Sequence, residues 1–88
     1  MQFVTGMIVR SKQGRDNGKF YVVLSADKTS ALLYDADKRT IKQPKKKNLR
    51  HLAPTKTVLS AEMLESDSEI RRTLAEFQRK ATISKEVI

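Results

Sequence analysis

Cysteine is absent from the 88 residues, which removes any disulfide framework and any thiolate metal site. The single histidine, His51, excludes the usual two-histidine metal arrangements. It supports no acid-base role either, since no Ser/His/Asp constellation can be assembled around it. Apolar runs of membrane-spanning length are lacking, and the N-terminus carries no basic segment followed by a long apolar stretch. A cytoplasmic, unprocessed protein in a reducing compartment is therefore expected. The aromatic set is small, with two tyrosines, three phenylalanines and no tryptophan, so few side chains are available both to fill a core and to stack on a ligand.

A chain this short hides only about 60–65% of its unfolded surface on folding, so one domain with a small core is expected and a buried catalytic cleft is not. Acidic charge is the other scarcity. Lysine and arginine number 18 against 10 acids, a net charge of +8 and a pI near 10.1. The surplus is local: residues 1–56 hold 13 cations against 4 aspartates, whereas residues 57–88 hold 5 cations against 6 acids. A field of that sign gathers polyanions, and it places their binding in the first segment.

From Gly6 to Leu52, short apolar or β-branched runs alternate with turn residues, the pattern of a small barrel. Runs at Met7–Ser11, Phe20–Leu24, Ala31–Asp35, Thr40–Gln43 and Leu49–Leu52 read as five short strands. The fold class is mainly β: a small, partly open, SH3-like five-stranded barrel followed by a C-terminal helix. Pro44 should stop strand pairing or lie on an edge, and Pro54 should end the β-region. Ser66-Asp67-Ser68-Glu69 offers a capping box, with Glu69 reaching back to the cap. Ile70, Leu74, Phe77 and Ala81 then recur at helical spacing. The boundaries expected are a barrel over 1–55, a linker over 56–66, a helix over 67–82 packed on the barrel or on a partner, and a frayed tail over 83–88.

Two features carry candidate chemistry. In the first, Gly14 and Gly18 bound a tight loop flanked by Arg10, Lys12, Arg15 and Lys19, where bare backbone amides and cations can approach phosphate; an ordinary hairpin with solvated charges has the same spacing. It is not a nucleotide-binding P-loop, because no Ser/Thr follows Lys19 to hold magnesium. The second is the basic cluster of Lys42, Lys45, Lys46, Lys47 and Arg50, anchored by the apolar residues Ile41, Leu49 and Leu52. Tyr21 and Val23 share the parity expected to face inward, whereas Phe3 and Phe20 remain candidates for exposed, base-stacking faces. No catalytic residue, metal ligand, cofactor or small-molecule substrate is indicated.

Residues Gly6 to Val23, with Gly14, Asp16, Gly18 and Lys19 in the order Gly-x-Asp-x-Gly-Lys between two apolar strands, resemble the KOW motif of ribosomal proteins and transcription elongation factors. Together with Pro44-Lys45-Lys46-Lys47-Asn48-Leu49-Arg50-His51-Leu52, the chain is similar to short bacterial KOW-domain RNA-binding proteins related to an archaeal and eukaryotic large-subunit ribosomal protein. The resemblance covers roughly residues 3–55. Asn17, where relatives often carry lysine, and the aromatic pair Phe20-Tyr21 depart from the pattern. The resemblance implies an SH3-like barrel and contact with ribosomal RNA, with ribosomal proteins as further partners. Arg10, Lys12, Gly14, Arg15, Gly18, Lys19, Lys42, Lys45, Lys46, Lys47 and Arg50 are the expected RNA contacts. The alternative is a protein-interaction module docking on ribosomal or transcription machinery; an anionic-membrane binder fits less well, because the basic part is β rather than an amphipathic helix.

Overall fold

Apolar runs bounded by turns become the first three strands, β1 (Met7–Ser11), β2 (Phe20–Ala26) and β3 (Ser30–Tyr34). The computed structural model describes residues 3–15, 17–34 and 44–87, the last seven of them as backbone. The expected strand at Thr40–Gln43, Lys42 and Asp16 lie outside the described residues. β4 is instead Lys45–Asn48, beginning immediately after Pro44, and a 3₁₀ turn at Leu49–His51 leads into β5 (Leu52–Val58). All neighbours pair antiparallel, in the order β4-β3-β2-β1-β5.

β5 corrects two expectations: Leu49–His51 is a turn rather than a strand, and Pro54 does not end the β-region. Because β5 is an edge strand, a residue without an N–H costs it no second ladder. Pro54 sits opposite Val9, and the register then slips between Met7 and Val9. There the Thr55 hydroxyl donates to the Ile8 carbonyl at 2.6 Å and accepts from the Thr57 amide at 3.3 Å, replacing ladder bonds with a side chain. A second irregularity lies between Val23 and Ser25 in the β2–β3 pair. Such bulges sharpen local twist, and the sheet curls strongly.

The curl buries both faces. On the inner face Val9, Tyr21, Val23, Ala31, Leu33 and Leu52 form one core, with Phe3, Met7 and Leu49 packed against it. Leu52 of β5 shares this core with Ala31 and Leu33 of β3 although two strands separate them in the sheet, as in a small SH3-like barrel. On the outer face Ile8, Val22 and Tyr34 are covered by Leu59, Ile70 and Leu74. Hence three consecutive β2 residues, Tyr21, Val22 and Val23, are all fully buried, and the run is continuous rather than alternating.

The outer face is closed by α1 (Ala61–Leu64) and α2 (Asp67–Val87), so 56–66 is strand, cap and helical turn rather than linker, and the helix continues beyond residue 82. The Ser66 hydroxyl accepts from the Glu69 amide at 3.3 Å, the expected cap. Glu69 itself does not reach back; its carboxylate pairs with Arg72 one turn ahead. Phe20 is not an exposed platform: its ring lies 5.5 Å from that of Phe77, tilted by 57°. Phe3 is likewise half-buried against the inner core.

Gly6 joins the two layers. Its amide donates to the Val23 carbonyl at 2.7 Å and its carbonyl accepts from the Leu59 amide at 2.8 Å. At φ +93° it occupies the left-handed region, and a Cβ would stand 2.6 Å from the Leu59 carbonyl oxygen. Both constraints demand glycine.

Candidate functional site

The β1–β2 hairpin loop is held at its base by buried Ser11. Its amide donates to the Lys19 carbonyl at 2.9 Å, its carbonyl accepts from Gly18 at 2.8 Å, and its hydroxyl donates to the Gln13 carbonyl at 3.1 Å. Gly14 (φ +88°) and Gly18 (φ +91°) both take the conformation that L-residues avoid, and the Asn17 amide donates to the Gly14 carbonyl at 3.2 Å. Nothing stands within 4 Å of where a Gly18 Cβ would lie, so that position is open to an approaching ligand. Lys12, Gly14 and Arg15 are exposed on this loop.

The lysine run reaches the loop from the far edge of the sheet. Lys45 pairs with Leu33 and Lys47 with Ala31, both inner-face residues, whereas Lys46 pairs with Leu32, which is 37% exposed on the outer face. Alternation along β4 therefore splits three consecutive lysines between two faces. Lys45 Nζ lies 3.3 Å from Tyr21 Oη and 5.4 Å from the ring centroid, and Lys19 Nζ lies 5.5 Å from the same centroid. Buried Tyr21 thus gives two cations, brought from the end of the hairpin loop and from β4, a common support through its electron-rich face and its hydroxyl. Lys47 Nζ donates to the Gln13 carbonyl at 3.2 Å, tying β4 to the loop itself.

Arg50 enters from a third element. Asn48 caps the 3₁₀ turn by accepting from the Arg50 amide at 2.9 Å, and the Lys12 amide donates to the His51 carbonyl at 2.8 Å, which sets exposed Arg50 beside the start of the loop. Lys12, Gly14, Arg15, Gly18, Lys19, Lys45, Lys47 and Arg50 are accordingly gathered at one end of the barrel. Two expected residues are not. Arg10 faces outward opposite Phe20 and Ala53, and Lys46 lines a shallow outer depression of about 240 Å³ with Ser25, Ala26, Asp27, Ser30 and Leu32.

Within that depression the Asp27 carboxylate is already committed. It accepts from the Thr29 and Ser30 amides at 2.8 Å each, and these backbone bonds hold its pKa below the ordinary aspartate value. It closes the β2–β3 turn. Among the described residues no group of His, Asp and Glu could hold a metal ion, and no helix is long and apolar enough to cross a membrane.

No family model and no curated protein matches this sequence. The site must be judged on its own chemistry. It offers fixed cations, left-handed glycines and bare backbone at a rim, a set suited to oxyanions carried on a large, convex ligand. The role of Tyr21 was not visible in the sequence, where its parity indicated only an inward position. The division of the lysines had no local signal either, since nothing in Lys45-Lys46-Lys47 marks a strand and the alternation comes only from pairing with Leu33, Leu32 and Ala31.

Proposed function

We propose that this protein is a non-catalytic, cytosolic RNA-binding protein that grips the phosphates of structured RNA at the loop end of its barrel. The observation that carries this reading is the convergence of Lys19, from the end of the hairpin loop, and Lys45 and Lys47, from β4, onto Tyr21 and the Gly14–Gly18 loop. Ammonium groups tethered by a folded sheet lose less conformational freedom on binding than those of a floppy tail, so their charge is more fully available for affinity. The resemblance to KOW-motif proteins supports ribosomal RNA as the particular target. Shape and phosphate recognition suit double-helical RNA, whose deep major groove side chains cannot read.

The test is a salt titration with a structured RNA. If about five phosphates are neutralised, log K should fall against log salt with a slope of roughly −3 to −5. Lys45→Gln together with Lys47→Gln should flatten that slope by roughly two while leaving the melting temperature unchanged. A salt-independent affinity, or a slope untouched by the double substitution, refutes the assignment.

A further inference from the structure

The outer face gives α2 a direction. Ile70 and Leu74 pack with Ile8, Val22, Tyr34 and Leu59, and Leu59 is bonded to Gly6 at the entry to β1. One turn later Phe77 meets Phe20, the first residue of β2 after the glycine loop. The helix therefore runs from the Gly6 end of β1 toward the end where the basic loop lies. It does not stop there. Ten further residues, 78–87, continue it, about 15 Å at 1.5 Å per residue.

Charge changes along the same axis. Residues 67–77, which pack on the sheet, hold Asp67, Glu69 and Glu76 against Arg71 and Arg72; residues 78–87 hold Arg79, Lys80 and Lys85 against Glu86. Arg79 and Lys80 are exposed; Lys80 follows Phe77 by three residues and flanks the packed side of the helix, whereas Arg79, two residues after Phe77, points away from the barrel. Exposed Arg10, opposite Phe20 in the register, lies on that same outer face of the sheet, one strand over from the Phe20–Phe77 contact. Arg10 is thus on the face of the sheet that α2 covers, not on the face that carries Lys19, Lys45 and Lys47.

We propose that Arg10 and Lys80 form a second strip of phosphate contacts, on the opposite side of the glycine loop from Lys19, Lys45 and Lys47, and that the ligand spanning both is duplex RNA. This rests on the reading of the loop end as an RNA site. One flexible strand can satisfy its charge along a single strip. A duplex presents two phosphate ridges either side of a wide, shallow minor groove, and two strips separated by the edge of a barrel answer that shape.

The experiment uses the full chain with a blunt 16-base-pair RNA duplex and, separately, one of its strands, each titrated at several salt concentrations. The variants are Arg10→Gln/Lys80→Gln, on the helix side, and Lys45→Gln/Lys47→Gln. The helix variant should bind the duplex about tenfold or more weakly, with a slope shallower by roughly two, and should bind the single strand within about twofold of wild type. The β4 variant should weaken both. Cations late in a helix also complement its dipole, and that role alone would lower the melting temperature without moving the slope. Unchanged duplex affinity and slope in the helix variant, or an equal loss for both RNAs, overturns the second strip while a weakened β4 variant leaves the RNA reading standing. If neither variant changes binding, both fall.

Discussion

The inner and outer faces of one strand, β2, meet different fates. Outward, Val22 is sealed beneath Ile70 and Leu74 of α2. Inward, Tyr21 closes the barrel core and carries two lysines at its mouth. The first face is finished by apolar burial and the second by charge. On the proposed RNA reading, stability and polyanion binding fall to separate side chains, and substitutions on the two faces should separate them.

The largest effect is expected beneath the helix. Ile70→Ala removes a fully buried side chain from the outer core and should cost about 2–5 kcal/mol, measured by denaturant unfolding. Against a total of about 5–15 kcal/mol for a domain, that is a substantial share. Under conditions where the variant remains folded, its RNA affinity should stay within about twofold of wild type. A proportional loss of affinity in fully folded protein would break the separation of the two faces.

Next come the glycines, which compare a packed hinge with an open loop. Gly6→Ala meets both a left-handed backbone and a Cβ 2.6 Å from a carbonyl oxygen, so it should cost more than the roughly 1–3 kcal/mol of backbone strain alone. Gly18→Ala meets strain of the same kind in open space and should cost only that. Thermal melts of the pair decide the matter: equal losses would mean that the contact with Leu59 relaxes freely.

How far this division was legible in the sequence depends on whether the signal was local. β1, β2, β3 and the Ser66 cap could be read because apolar runs, turn glycines and a capping serine act within a few residues of themselves. β4 could not, since Lys45-Lys46-Lys47-Asn48 has no strand propensity and pairs only because Leu33 and Ala31 offer an edge. β5 was hidden by Pro54, whose missing donor forbids a central strand but not an edge. At the site, the glycine loop and its cations were legible. The separation of Lys46 from its neighbours, the move of Arg10 to the helix side and the support from Tyr21 were not, because each follows from register between distant segments.

The lysines give a subtler contrast, in which sequence neighbours should behave unequally. Lys45→Gln and Lys47→Gln should each lower RNA affinity several-fold, because each removes a cation held at the loop end. Lys46→Gln, on the outer face beside Leu32, should change it least. Equal losses from all three in parallel titrations would mean that RNA senses only the summed charge of β4 and not its alternation.

The smallest effect lies at the β2–β3 turn, which belongs to neither charged strip. The Asp27 carboxylate accepts two backbone amides more strongly when ionised, so its pKa is depressed on folding. A group of this kind contributes stability above its unfolded pKa, near 4, and loses that contribution as pH falls through the folded value. Asp27→Asn keeps an oxygen acceptor but no charge, so the variant should be slightly less stable than wild type near neutral pH, with the difference shrinking as pH falls below about 4. Denaturant midpoints of the two proteins at pH 7 and at pH 3 test this directly. A difference that is constant across that range would mean that the turn is held by geometry alone and that the charge on Asp27 adds nothing to it.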